Sequence, residues 1–211
     1  MSNKKDEINK ALETIYGMNL PEEIIDTAHQ QLLKTIKDVL PPPVYYGLLP
    51  DTPIGDIWIA SGEKGLIAID FDLTEEEFCF HTQEKAKVRL VRGDEKMNKE
   101  INMINDYIDG DIESLDMDFD LRGLTTFQET VLIATKQIPR GQVATYSEIA
   151  QSIGNPKAYR AVGQALRYNP IPIVLPCHRV VNSNGTLGGY GGKMGSQRKI
   201  KLLQIEGVIL T

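Results

Sequence analysis

Three consecutive prolines, Pro41-Pro42-Pro43, constrain this chain more than any other feature. Proline lacks a backbone donor and collides with the preceding helical turn, so neither a helix nor an inner strand can run through the triplet. Residues 4–40, before it, read as helix. Pro21-Glu22-Glu23 sets proline at a first helical position with acids in the first turn. Ile24, Ala28, Leu32, Ile36 and Val39 then follow at spacings of three and four. After the triplet the period changes. Ile57 and Ile59 alternate with polar or small neighbours, Ser61–Gly65 supplies a turn and Leu66–Phe71 returns, which predicts a hairpin. Phe78–His81 and Val88–Val91 are predicted as two further short strands. Glu95–Ile108 carries Ile101, Ile104 and Ile108 at helical spacing and stops at Gly110. Asp109–Asp120 alternates acids with Ile112, Leu115, Met117 and Phe119, as an edge strand or an extended linker would. Its acids read as a solvated face.

From Thr125 the character changes again. Phe127–Gln137 is a predicted helix stopped by Pro139, and Gln142–Thr145 a short strand. Ser147–Ile153 and Pro156–Tyr168 are predicted helices joined through Gly154-Asn155. Pro170–Val181 reads as an extended, proline-spaced apolar segment, and Gly185–Gly192 is glycine-rich. Ser196–Glu206 closes as a helix with Gly207 as its stop. No internal repeat is present. The expected division is a helical extension over 1–43, an α/β domain over 44–124 and a mainly helical domain over 125–211.

The 211 residues suffice to bury a core without staples. No apolar run approaches the ~18 residues of a membrane span, and the charged N-terminus has no signal-peptide pattern. Two cysteines cannot form a disulfide framework, which favours a reducing compartment such as the cytoplasm (or the nucleus, in a eukaryote). The net charge of −6 argues at first sight against a nucleic-acid binder. It is an average of two unlike halves. Residues 1–124 hold 13 Lys plus Arg against 26 Asp plus Glu, whereas residues 125–211 hold 10 against 3. Only the second half is basic, and it suits a phosphate backbone.

Two short helices around a glycine turn match the outline of a helix-turn-helix, a pattern that ordinary helical hairpins share. At about 100° per residue, Tyr159, Val162, Gly163 and Leu166 are predicted to share an apolar side, and Arg160, Gln164 and Arg167 the other. Ala158, Ala161 and Ala165 are small enough to let a backbone approach a groove. An ordinary solvated helix face would look much the same.

Pro176-Cys177-His178-Arg179 lies in the apolar segment. A lone cysteine in such a run is as a rule buried and inert. A neighbouring histidine can activate a thiol, since a free thiol near pKa ~8.5 is only slightly ionised at neutral pH. Adjacent side chains of an extended chain diverge, however, so His178 would reach the sulfur only through a turn or a bridging water. A cysteine hydrolase would also need an oxyanion hole and a leaving-group acid, and neither stands out.

Ile173–Val181, read as IVLPCHRVV, resembles the motif of the O6-alkylguanine-DNA alkyltransferases, the methylated-DNA–protein-cysteine methyltransferases. Phe127-Gln128, Gly141–Tyr146, Asn155–Ala158, Arg160–Gly163, Asn169-Pro170, Gly188–Gly192, Leu202-Leu203 and Glu206-Gly207 fall in family order around it. Thr52-Pro53-Ile54-Gly55 through Phe71 resembles the family's first hairpin more weakly. The resemblance implies a small, mainly antiparallel, ribonuclease-H-like α/β domain followed by a winged-type helix-turn-helix domain. It implies single-turnover transfer of an O6-alkyl group from a flipped-out guanine of double-stranded DNA to Cys177, by a monomer without an organic cofactor; no metal is expected, and no membrane partner. His178 would take the thiol proton through a water, Glu206 would orient the histidine and Asn169 would bond near the active-site turn. Tyr146 would donate toward N3 of the departing base. Val180, Tyr190, Gly191 and Pro172 would shape the guanine pocket. Arg160 would fill the space of the flipped nucleotide, and Asn155, Ala158, Ala161, Gly163, Gln164 and Arg167 would meet the duplex.

Tyr159 stands where many members of that family carry a small residue, and Gly191 where some carry serine. Cys79 and His81 would share one face of a strand, and His29 is the other histidine outside the motif. Three scattered candidates fall short of a four-ligand zinc site, so core or surface placement is expected. The remaining alternative is a non-catalytic helix-turn-helix protein that recognises alkylated DNA; relatives of that kind carry another residue at the cysteine position.

Overall fold

The expected hairpin forms one side of a four-stranded sheet. The computed structural model describes residues 26–28, 30–31, 41–190, 193–194 and 196–208. Strands β1 (Val44–Thr52), β2 (Gly55–Gly62), β3 (Gly65–Phe71) and β4 (Leu90–Arg92) lie in the order β3-β2-β1-β4. The first three pair antiparallel, and β4 joins β1 in parallel. Strand β2 is buried on both faces, and its side chains divide by period two. Ile57 and Ile59 enter one core cluster, Trp58 and Ala60 another. Gly65 opens β3 at φ +105°, where a Cβ would lie 2.2 Å from the Asp118 backbone; only glycine fits.

That contact explains the acidic stretch at 109–120. It is irregular, yet Leu66 N donates to Asp118 O and Asp120 N to Leu66 O, which fastens it along the β3 edge. Leu115 and Met117 point inward and Asp116 and Asp118 outward.

The strand expected at Phe78–His81 is instead part of helix α1 (Glu75–Ala86). Local chemistry decides it. Thr74 and Glu77 form a capping box, and three acids fill the first turn. Phe78 is buried and stacks on Trp58 with ring centroids 5.6 Å apart, while Phe80 is 64% exposed. Cys79 and His81, two residues apart on a helix, therefore do not share a face. His29 lies outside the described residues, and among these no group of three His, Cys, Asp or Glu is placed to hold a metal. Helix α2 (Asn98–Asp109) follows a 3-10 turn and ends, as expected, at Gly110 with φ +86°.

The second half holds α3 (Thr126–Lys136), β5 (Ala144–Thr145), α4 (Tyr146–Ser152), α5 (Tyr159–Arg167), β6 (Val180–Val181), the hairpin β7–β8 (Gly189–Tyr190 and Lys193–Met194) and α6 (Gln197–Ile205). Thr125 and Thr145 cap α3 and α4 through boxes with Gln128 and Glu148. Helix α5 begins at Tyr159, three residues later than expected, because Pro156-Lys157 is held in a turn closed by Ala158 N to Asn155 O. The segment Pro170–Val181 is not extended either. It folds through successive turns into the 3-10 turn Cys177–Arg179, since its prolines cannot donate to a ladder. Val131, Leu132, Ile149, Val162 and Leu202 continue the core cluster of Ile57 and Ile59, and residues 43–211 form one unit. Arg198 on α6 donates to Ile54 O and pairs with Asp72, joining the last helix to the β1–β2 turn and the end of β3.

Residues 1–42 are a separate unit, helical at the described positions 26–28 and 30–31; Pro21 and most of the expected apolar stripe lie outside the described residues. Among the described residues no helix is long and apolar enough to cross a membrane.

Phe78→Ala should cost about 3–5 kcal/mol, whereas Phe80→Ala should cost under about 0.5 kcal/mol. Urea unfolding of the two variants checks the helix, because on a strand the two rings would share one face.

Candidate active site

Cys177 sits where the buried turns of 171–176 meet the 3-10 turn. Asn169 fixes that geometry: its Nδ2 donates to Leu175 O at 2.7 Å and to Cys177 Sγ at 3.2 Å, and its Oδ1 accepts from Ile171 N at 3.1 Å. Leu175 N donates to Ile171 O and Cys177 N to Leu175 O, so the backbone is satisfied without a sheet. Ile69 N on the β3 edge donates to Pro170 O at 2.8 Å, tying the turn to the first sheet. Ile173 takes φ +75°, a strained value for a β-branched residue. Cys177 is buried, with 9% of its surface exposed. Burial pushes its thiol above the ordinary range, and the bond from Asn169 offsets part of that rise.

The turn brings His178 inward, where it is fully buried. Its Nε2 lies 2.6 Å from Glu206 Oε1, while Nδ1 has no partner within the protein. Burial lowers the proton affinity of the imidazole and Glu206 only partly restores it. The ring is therefore neutral at rest, with its proton on Nε2 toward the carboxylate and the Nδ1 lone pair free to accept.

Glu206 also meets Arg179, whose Nε donates to Oε2 at 2.8 Å and Nη2 to Oε1 at 3.0 Å, and Tyr107, whose hydroxyl donates to Oε1 at 2.5 Å. Arg179 Nη2 in turn donates to Tyr107 Oη at 2.7 Å. Burial pushes the Glu206 carboxyl up, but the bonds from His178, Arg179 and Tyr107 outweigh it and hold it at about 2. It is a fixed anion. Lys199 on α6 is buried as well and donates to Val180 O at 2.5 Å and to Leu187 O, clamping the motif to the glycine-rich loop. Burial lowers its ammonium to about 8.

Tyr146 stands over the same loop: a Cβ on Gly188, at φ +68°, would come within 2.8 Å of its hydroxyl. Burial, then the nearby Cys177, keeps that phenol protonated above its usual range. Pro172, Val180 and Tyr190 are all buried around the cysteine turn, and the Tyr190 ring meets His178 edge-on at 6.4 Å. Gly191 lies outside the described residues.

The helix pair presents Arg160, Gln164 and Arg167 to solvent on α5, as expected, with Asn155 and Ala161 also exposed. Ala158 is half-buried at the N-cap. Two other expectations fail. Tyr159 is 45% exposed, not part of the apolar side, because it opens the helix beside Arg160. Ala165 is in the core, facing away from any groove. Gly163 is half-buried against the Tyr146 ring, where an added Cβ would make ordinary contact at 3.7 Å.

The sequence alone assigns no role to Tyr107, Arg179 or Lys199. Arg179 and Lys199 carried a signal, as charged residues inside apolar patterns that burial would force to find partners. Tyr107 carried none, because its partner lies 99 residues away.

Residues 44–121 match the family description "6-O-methylguanine DNA methyltransferase, ribonuclease-like domain", and residues 126–208 match "6-O-methylguanine DNA methyltransferase, DNA binding domain". A Methanosarcina acetivorans protein named methylated-DNA–protein-cysteine methyltransferase is 39% identical over 168 residues, 78% of this chain and 99% of its own length. The crystal structure of Mycobacterium tuberculosis O6-methylguanine methyltransferase superposes with a TM-score of 0.64 at 37% identity, covering 77% of this chain and 92% of that one. The Mycobacterium tuberculosis protein in complex with DNA gives the same TM-score at 35% identity and the same coverage. Two descriptions matched in order, with a curated relative aligned over nearly its whole length, mean that the chain belongs to the 6-O-methylguanine DNA methyltransferase family.

Proposed function

We propose that this chain repairs alkylated DNA directly, as a methylated-DNA–protein-cysteine methyltransferase that acts once. Cys177 Sγ attacks the alkyl carbon on O6 of guanine, the S–C bond forms as the C–O6 bond breaks, and the thioether remains on the protein. The observation that carries this reading is the site itself: a buried thiol held by Asn169, beside a neutral His178 that is backed by the fixed Glu206 anion. The thiol proton passes through a bridging water to Nδ1 of His178, the ring atom left without a protein partner. The departing purine is a poor anion. Tyr146, protonated and turned toward the loop, donates toward its N3 and disperses that charge. Val180, Tyr190, Pro172 and Gly191 form the guanine pocket. No obvious group in the site can return the thioether to a thiol, so each molecule reacts once and needs no cofactor.

O6 of guanine lies inside the base stack, so the nucleotide must leave the duplex at a cost of a few kcal/mol, less for a poorly paired alkylated base. Arg160, exposed on α5, fills the vacated space with a guanidinium plane that both stacks and hydrogen-bonds. Asn155, Ala158, Ala161, Gly163, Gln164 and Arg167 contribute to the surface that follows the duplex. The Mycobacterium tuberculosis relative with DNA supports this use of the domain. In the same reading the chain divides at 1–43, 44–124 and 125–211. The sheet domain is ribonuclease-H-like, and the α4–α5 pair with the β7–β8 hairpin is a winged helix-turn-helix. The protein works as a monomer in the cytoplasm, where the two free thiols suit a reducing milieu.

Incubation with duplex DNA containing O6-methylguanine should add one methyl group to the Cys177 peptide, read by mass spectrometry. Tight binding by the reduced protein without that adduct would refute repair and leave a damage-recognition protein. Arg160→Ala should slow transfer from duplex by roughly tenfold or more, the scale of the flipping cost, while reaction with a free O6-alkylguanine base is unchanged. Equal losses on both substrates would remove Arg160 from the flipping role.

A further inference from the structure

The carboxylate behind His178 is completed by a residue far from the motif. Tyr107 on α2 donates to Glu206 Oε1 at 2.5 Å, the oxygen that also faces His178 Nε2 at 2.6 Å and Arg179 Nη2 at 3.0 Å. Three donors share one oxygen. Each hydrogen bond drawn onto a carboxylate oxygen takes up charge that the other donors would otherwise feel. The Tyr107 side chain is buried, its ring stacks on the Arg140 guanidinium at 4.4 Å, and its hydroxyl accepts from Arg179. Burial and then Glu206 push that phenol up to about 12, so at neutral pH it stays protonated toward Glu206.

We propose that Tyr107 is a positioning residue for the alkyl transfer: it donates to the Glu206 oxygen that serves His178, limits the charge reaching the imidazole, and so keeps the Cys177 thiol protonated in the resting protein. The proposal rests on the function given above for what His178 does. Its advantage is chemical. A nucleophile that can be used once is wasted if it rests as a thiolate, the form that oxidants and stray electrophiles attack.

The sign follows from the charges in place. The charged or titratable groups facing His178 are Cys177, Arg179, Lys199, Glu206 and the edge of Tyr190, and Arg140 lies against Tyr107. Arg179 keeps its charge throughout, and Lys199 titrates only near about 8. Below that pH, removing the Tyr107 hydroxyl leaves more of the Glu206 charge for a protonated His178. The thiolate–imidazolium pair then forms at lower pH.

The test is carboxamidomethylation of the full chain by iodoacetamide between about pH 5 and 10, with the Cys177 peptide followed by mass so that Cys79 does not contribute. Tyr107→Phe keeps the ring, and its melting temperature reports whether the fold survives. The midpoint for Cys177 should move down by about half a pH unit, roughly a threefold faster reaction below the midpoint. An unchanged midpoint, or an upward shift, overturns the proposal, since a purely structural hydroxyl would alter the melting temperature alone. If the phenylalanine variant does not fold, 3-fluorotyrosine placed at Tyr107 is a stronger donor and must move the midpoint up; no movement overturns the proposal. Iodoacetamide requires neither DNA nor base flipping, so this result is independent of the methyl-adduct experiment that decides the repair function.

Discussion

A single buried carboxylate organises the site. Glu206 is ionised inside the protein, and removing such an ion from water costs several kcal/mol even after relaxation. The structure offsets this with a two-pronged Arg179 contact and with donors from His178 and Tyr107. Each of those groups is itself anchored: Arg179 also donates to Ile138 O, and Arg140 beside Tyr107 donates to Tyr107 O, Ile112 O and Ile205 O. The end of α3, the cysteine turn, α2 and the end of α6 thus meet around one negative charge. The tautomer of His178 follows from that arrangement.

Much of this was legible in the residues, for local reasons. The hairpin around Gly62–Gly65 and the helix stop at Gly110 are written within a few positions of where they act. The cysteine motif was equally plain, as was the exposure of Arg160, Gln164 and Arg167. What failed was decided elsewhere. Phe78–His81 looks like a strand until the Thr74–Glu77 box is counted, and Pro170–Val181 looks extended until its prolines are seen to preclude a ladder. Periodicity puts Tyr159 on an apolar side, but a first-turn residue has no preceding turn to pack against. Tyr107 is the instructive omission. A tyrosine on an amphipathic helix reads as core, and only the folded chain reveals that its hydroxyl meets a carboxylate.

The two halves differ in charge. Acids of the first half line exposed edges such as Asp116 and Asp118, whereas the second half presents Arg160 and Arg167 to solvent on α5. Yet the boundary between them is not a boundary for the chemistry. The β3 edge supports the cysteine turn through Pro170, and α2 supplies Tyr107 to Glu206.

This distribution has a consequence for folding. Glu206 lies 28 residues from His178 in sequence and 99 from Tyr107, and Arg179 lies 72 from Tyr107. Contacts of such long range form late, after the entropy of closing large loops has been overcome. Until then His178 has no carboxylate behind it, and that carboxylate no Tyr107 hydroxyl. The three-donor arrangement on Glu206 is therefore absent from the unfolded ensemble and from any intermediate in which α2 has yet to dock. The carboxylate behind His178 is complete only when helix α2 is in place.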